Sequence, residues 1–386
     1  MIISKPELIH QNGSIQYCVH VQFSSEKKTL WFRLSEEYTD LVSDRSDASL
    51  VALLIPAMVR GEEIHLEGTI SEKLFYNLSG PYQKVLTLII PSLHPVKIIP
   101  DDVQPAHSMG KGVAMGFSAG IDSFCVLADH YYEDIPKSLK VTHLLFNNVG
   151  SHGHGENSGR RLFQKRYTRL KSTTEHIGLP FIAIDSNMDS FYEGLDFDQT
   201  HTPRNVSVAL LLQRGIKRFL YASSYHYSHA SIGPTRHMAF SDTITLPLLS
   251  TETLDMISAG SEYTRVEKTL KVAKIEDSYK SLDVCTNSET RMKINCSTCF
   301  KCKRTMLTLE IAGDLDRYTN VFDLDAYMRV REIYISEVLC SKNPLLSEIA
   351  SFIKINSFKI PLSSRLYAHA KQLKRCIRKP RKSREN

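Results

Sequence analysis

Two rhythms of apolar and polar positions divide the chain. Up to about residue 105 the pattern is mixed. Ser14 to Val21 and Thr29 to Arg33 alternate with a period of two, which predicts half-buried strands. Ala48 to Val59 reads as a helix, with Pro56 breaking its apolar run. Glu63 to Glu67 reads as a strand, Ser71 to Leu78 as the start of a helix, and Val85 to Ile90 as another strand. The segment Pro100-Asp-Asp-Val-Gln-Pro105 closes this part. It holds no catalytic constellation, so residues 1–105 are expected to form a small α+β accessory domain, for dimerisation or for covering an active site.

From residue 112 strands alternate with helices. Gly112 to Phe117, Thr142 to Phe146, Phe181 to Ile184 and Arg218 to Tyr221 read as strands. Asp122 to Tyr132, Asn157 to His176 and Val206 to Gln213 read as helices. That order predicts an α/β fold, a parallel sheet with helices on both faces. Ligands of such sheets bind at the C-terminal ends of the strands, which brings Ser118, Asn147 and Ser223 to one rim. We assign residues 106–330 to this domain. Residues 331–386 then form a helical segment, with helices at Leu345 to Ile353 and Leu362 to Leu373, and a basic tail.

Composition narrows the class. Of 386 residues 42% are apolar and 23% charged, an ordinary globular balance that excludes a mainly disordered chain. No apolar run approaches the ~20 residues of a spanning helix, and no secretory signal is visible, so a cytoplasmic protein without a membrane partner is expected. The net charge of +6 is local. Residues 371–386 hold eight Lys or Arg and one Glu, which leaves the remainder near neutrality. A nucleic-acid partner is therefore not expected from the body, and the tail alone leaves that role open.

Two motifs carry chemistry. Phe117-Ser-Ala-Gly-Ile-Asp-Ser123 joins a strand to a helix. Gly120 permits a tight turn, the Ser118 and Ser123 hydroxyls and the first helical N–H groups can surround a phosphate, and Asp122 is placed to cap the helix. An ordinary strand–turn–helix with a polar cap has the same spelling. The second motif is Cys285-x10-Cys296-x2-Cys299-x2-Cys302. Four thiolates satisfy tetrahedral Zn²⁺ and leave no open position, which makes the site structural. An iron–sulfur cluster and unligated thiols are the alternatives, and the Cys-x3-Cys-Pro ending of ferredoxins is missing. Between the motifs, Asn147 to Asn157 forms a glycine-rich loop with His152, His154 and Glu156, expected to cover a substrate; a solvated loop and a metal site are the alternatives.

The loop Ser118-Ala-Gly-Ile-Asp-Ser123 resembles the Ser-Gly-Gly-x-Asp-Ser pyrophosphate loop of the PP-loop ATP pyrophosphatases, with Ala119 where Gly is usual. With the four cysteines it resembles one branch, the 7-cyano-7-deazaguanine synthase (QueC-like) family. Ser297 stands where that family has Gly. Thr202-Pro-Arg-Asn205 matches a Pro-x-Arg-Asn turn before a helix, and Thr264-Arg-Val-Glu-Lys268 stands where the family has Thr-Lys-x-Glu. The family's base-reading segment, Asp-x-x-Gly-Tyr-Pro-Asp-Cys-Arg, is altered here. Over Ser223 to His237 its acids and Cys are gone, and His226, His229 and His237 appear.

The resemblance implies ATP and Mg²⁺ at Ser118, Ala119, Gly120, Ile121, Asp122 and Ser123, with Asn147 and Arg204 as further nucleotide contacts. Asp122, Arg204 and Lys268 would serve catalysis, and Cys285, Cys296, Cys299 and Cys302 would hold Zn²⁺. The implied reaction is adenylation of a carboxylate or amide oxygen, release of pyrophosphate and attack by ammonia or an amine. The implied acceptor is a small molecule or, as for relatives in anti-phage gene sets, a peptide end; a homodimer is also expected. A tRNA-thiolating PP-loop enzyme and a non-catalytic nucleotide sensor are the rival expectations.

Overall fold

A computed structural model of the chain describes residues 1–107, 110–153, 156–285 and 293–378, except for the side chains of 156–157 and 371–378. The chain is an α/β protein with eleven strands in one sheet. These are β1 (Ile2–Ile3), β2 (Glu7–Gln11), β3 (Ser14–Gln22), β4 (Lys27–Ser35), β5 (Ile64–Ser71), β6 (Ile98–Gln104), β7 (Gly112–Gly116), β8 (His143–Asn147), β9 (Phe181–Ser186), β10 (Ile216–Ala222) and β11 (Asp255–Ala259). Their order is β11-β10-β7-β8-β9-β4-β3-β1-β5-β6, with β2 paired to β3. From β11 to β9 every pairing is parallel. β4 joins β9 antiparallel, with Phe32 opposite Ser186 and Arg33 opposite Asp185. The register sets Gly116 beside Leu145 and Leu220 beside Met115, so Ser118 and Ser223 follow, and Asn147 ends, strands that finish at one rim.

The chain forms two compact units. One comprises Met1–Ser118 and Val126–Glu262, the other Ala119–Cys125 and Tyr263–Asn386. A boundary at residue 105 is not where the structure divides. The reason is visible in the first unit, where the early strands continue the parallel sheet and the helix Asp47–Arg60 is buried from Asp47 to Met58. Asp47 is fully buried. Its carboxylate accepts from the Ser71 N–H at 2.7 Å, the Ser71 hydroxyl at 2.6 Å and the Gln213 amide at 2.6 Å. Pro56 has no N–H to give to the Ala52 carbonyl, and the Tyr192 hydroxyl supplies the missing donor at 2.8 Å.

Two segments differ from the sequence expectation. Val85 to Ile90 is not a strand; it belongs to the helix Pro81–Ile89. Pro81 sits in the first turn, where its missing N–H costs nothing, and Tyr82, Leu86 and Ile89 are buried at helical spacing. Thr202-Pro-Arg-Asn205 is not a turn before a helix. It lies inside the helix Phe197–Leu211, which Asp196 caps by accepting from the Asp198 N–H.

The second unit is helical among its described residues. Its helices include Arg265–Val272, Phe300–Ala312, Leu324–Cys340, Pro344–Ile355 and Leu362–Arg378. No described helix is long and apolar enough to cross a membrane. Residues 379–386 of the basic tail lie outside the described residues.

Candidate metal centre and anion-binding loop

Four thiols of the second unit converge. The Sγ atoms of Cys285, Cys296, Cys299 and Cys302 all lie within 4.8 Å of one another and can hold a metal ion. Cys285 to Cys299 is 3.9 Å, Cys296 to Cys302 is 3.8 Å and Cys299 to Cys302 is 3.4 Å. Four sulfurs at ~2.3 Å from a tetrahedral ion lie ~3.8 Å apart, so the set fits Zn²⁺. It does not fit a disulfide, whose sulfurs are ~2.05 Å apart.

Local chemistry builds this geometry. Cys296 and Cys299 flank a tight turn in which Ser297 has φ +62°. The Ser297 hydroxyl accepts from the Asp323 N–H at 2.8 Å. Buried Asn295 bonds the backbone of Val284, Leu282 and Val321 and so draws the segment before Cys285 toward Cys296. Cys299 is the N-cap of Phe300–Ala312, and Cys302 lies in its first turn, where the helix favours negative charge. The Cys299–Cys302 contact brings the Cys299 thiol down to about 4 and raises that of Cys302. Burial opposes ionisation of Cys296, but the Thr298 and Cys299 N–H groups outweigh it and lower its pKa.

The same unit holds the loop Ala119–Ser123. Ala119 adopts φ +56° and is buried, so the position where the resembling family has Gly does require left-handed backbone. The Ala119 carbonyl accepts from the Asp283 N–H at 2.8 Å. The Ser123 hydroxyl donates to the Gly120 carbonyl at 3.1 Å. Asp122 does not cap its helix. Its carboxylate takes Nη1 of Arg265 at 2.8 Å, Nη2 of Arg265 at 3.0 Å and Nζ of Lys268 at 3.2 Å. Burial raises its pKa, and the charges of Arg265 and then Lys268 reverse the sign and lower it.

Arg265 and Lys268 share a helix face because they are three residues apart. Their helix starts with a capping box in which Thr264 and Glu267 bond each other's backbone N–H. Arg304, two residues past Cys302, completes a group of three buried cations. Arg265 is 8% exposed, Lys268 1% and Arg304 6%. Burial first, then repulsion from Arg265, lowers the Arg304 pKa to about 10. Its Nε has no hydrogen-bond partner among the described residues. Asp122 and Glu348, which accepts from the Arg265 N–H at 2.8 Å, face the three cations. The sequence alone does not single out Arg265 or Arg304, although the Thr-x-x-Glu box marks the helix start that presents Arg265.

In the first unit Asn147 donates from Nδ2 to Asn205 at 3.1 Å, and its Oδ1 has no partner among the described residues. Arg204 is fully buried. It donates to the Thr200 hydroxyl at 3.0 Å, the Val149 carbonyl at 3.1 Å and Asp189 at 2.8 Å, and stacks on Tyr192 at 3.8 Å. Those contacts make it a clamp on the loop after β8. Gly150 has φ +101°, and a Cβ there would strike the Arg204–Asp189 pair. His152 turns inward against Phe146 and Phe163. Burial and then Arg166 bring its pKa down to about 4. His154 lies outside the described residues, and so does the Glu156 side chain. In the altered segment Tyr225 stacks on Phe240 at 4.0 Å and His237 meets His201 edge-on at 5.6 Å. Comparison with family models, curated proteins and solved structures finds no match to this chain.

Proposed function

We propose that the protein is an ATP-dependent enzyme of the PP-loop type. It would activate a carboxylate or amide oxygen by adenylation for attack by ammonia or an amine, and it would carry a structural Zn²⁺. The observation that carries this reading is the buried cation group at Asp122. Three cations gathered behind a strand–turn–helix loop, one of them with an unpartnered Nε, suit a multiply charged anion. ATP, when bound, supplies the adenylyl group and the pyrophosphate leaving group.

In this reading the chain contributes position and charge. Arg265, Lys268 and Arg304 would neutralise the negative charge that grows on the leaving pyrophosphate. Asp122 holds two of these cations in place and would hold Mg²⁺ when they turn to the phosphates. Ser118, Gly120, Ile121 and the Ser123 hydroxyl would line the phosphates, and Ala119 holds the bend. Asn147, whose Oδ1 has no partner among the described residues, would offer that acceptor to a ligand at the end of β8. Arg204 serves the reaction indirectly, by fixing the loop after β8. Cytoplasmic residence and a homodimer belong to the same proposal.

Pyrophosphate release from ATP is the test, with carboxy-deazaguanine plus ammonia and with carboxylate-bearing peptides as acceptors. Acceptor-stimulated release that Ser118→Ala and Lys268→Met each depress at least tenfold is the expected result. Release unchanged in both variants, or absent with every acceptor while ATP still binds, refutes catalysis at this loop. The latter outcome favours a nucleotide sensor.

A further inference from the structure

Charge is unevenly spread over the first unit. The helix Glu156–Ile177 carries Arg160, Arg161, Lys165, Arg166, Arg169 and Lys171 against Glu156 and Glu175. Arg161, Lys165 and Arg169 recur every fourth residue and are exposed, so they form one row along the helix. At ~1.5 Å rise per residue that row is ~12 Å long. The opposite side of the helix packs on the sheet, with Phe163 stacked on Phe146 at 5.2 Å and Tyr167 on Phe181 at 5.1 Å.

The same sheet face runs on from β9 to β4. Arg33 stands opposite Asp185, so both side chains share a face, and Arg160 reaches Asp185 at 2.8 Å. Trp31, two residues from Arg33, lies on that face and is half-buried. The guanidinium groups of Arg33 and Arg160 lie over its ring at 4.9 and 5.3 Å. Arg33 and His20 on this side of the sheet are exposed. Of the nearby acids, Asp185 is engaged with Arg160 and Glu175 with Lys171; exposed Glu7 lies opposite Cys18, in line with Trp31, and Glu37 acts on Tyr167 of the same helix.

We propose that the row Arg161, Lys165, Arg169, together with Arg33 and Trp31, is a docking surface for single-stranded nucleic acid. The charge is complementary to a phosphate backbone. Arg33 and Arg160 lie over the Trp31 ring, so an unpaired base would stack on their guanidinium planes or displace one of them from the ring. A duplex, with its bases already stacked, makes no use of that ring. The surface is independent of the ATP reading and stands or falls without it.

Trp31 is the sole tryptophan of the chain, so its fluorescence reports on the surface directly. The full-length protein is titrated with a labelled oligothymidine, following both anisotropy and tryptophan emission at several salt concentrations. Binding is expected, with a tryptophan change at the same midpoint. The triple variant Arg161→Gln, Lys165→Gln, Arg169→Gln should lower the salt slope by about 2 and weaken binding roughly tenfold or more, at ~0.7 per lost phosphate contact. These three side chains are exposed, so an unchanged melting temperature is expected. No binding at low salt overturns the proposal. So does binding that survives the triple variant but is lost when Lys379, Arg381, Lys382 and Arg384 are changed to Gln. Capture of phosphatidylserine vesicles by the row, without oligonucleotide binding, overturns it in favour of a membrane surface.

Discussion

Replacing Asp122 by Asn tests whether the cation group is an anion site held shut by one carboxylate. The substitution keeps shape and removes the charge that Arg265 and Lys268 share. Three buried cations would then lose the carboxylate that two of them share. Removing one partner of a buried ion pair costs ~3–5 kcal/mol. The Asp122 side chain is 26% exposed, which places the expected loss near the lower end, about 3 kcal/mol. At ~2–4 °C per kcal/mol for a unit of this size, the melting transition should fall by roughly 6–12 °C. Pyrophosphate should restore most of it, because a ligand at a hundred times its Kd adds ~2.7 kcal/mol and the variant removes the carboxylate's competition for Arg265 and Lys268. Lys268→Met should cost less, since the bidentate Arg265–Asp122 pair survives, and should respond less to pyrophosphate. The pH dependence has a definite sign. The folded pKa of Asp122 is depressed, so its stabilisation is present above the unfolded value near 3.9 and is lost as pH falls through the folded pKa. Calorimetry of wild type and both variants, with and without pyrophosphate, reads all of this. An Asn variant within ~1 kcal/mol of wild type, or one that pyrophosphate fails to rescue while it protects the wild type, refutes the reasoning.

Three further outcomes are expected. Protein purified without added metal should contain one zinc per chain by elemental analysis, and a chelator should melt the second unit before the first; iron with absorption near ~400 nm would favour a thiolation enzyme instead. Asp47→Ala should destabilise the first unit by roughly 3 kcal/mol or more, because the Ser71 and Gln213 donors lose a buried acceptor, and urea unfolding checks it. Burial raises the Asp242 carboxyl to about 7, against the Thr202 hydroxyl bond that lowers it. A raised folded pKa means stability present below the unfolded ~3.9 and lost as pH climbs toward the folded value. Asp242→Asn should therefore be more stable than wild type at pH 8, by a few kcal/mol at most, and the advantage should vanish near pH 4.

Local patterns were legible in the sequence and distant pairings were not. Period-two alternation located β3 and β4, and the βα rhythm located β7 to β10. Nothing local says that β4 lies beside β9, because Phe32 and Ser186 meet across more than 150 residues. The cysteine spacing anticipated a four-thiol cluster, since metal ligation demands proximity of few, recognisable side chains. Arg265 and Arg304 escaped because a buried arginine has no spacing signature; its partner, Asp122, is far away in sequence. Arg204 was conspicuous for the same Pro-Arg-Asn spelling that hid its helix, and only the fold reveals Tyr192 beneath it. The residues that depart from the resembling family, Ala119 and Ser297, both occupy left-handed backbone, so the turns persist where the glycines do not.

The junction between β4 and β9 has a consequence for how the first unit opens. Two register pairs hold it, and the Asn187 side chain extends it, accepting from the Trp31 N–H at 2.9 Å and donating to the Thr29 carbonyl at 2.7 Å. One amide side chain thus stands in for a further rung of the ladder. Few rungs cross here, as on either side of β1, so amide exchange at Trp31 should be early, and the strands on the two sides of this seam should exchange as separate cooperative blocks. A truncated chain starting after residue 105 would lose β4 and leave β9 as a bare parallel edge, which makes aggregation, rather than a trimmed enzyme, its fate.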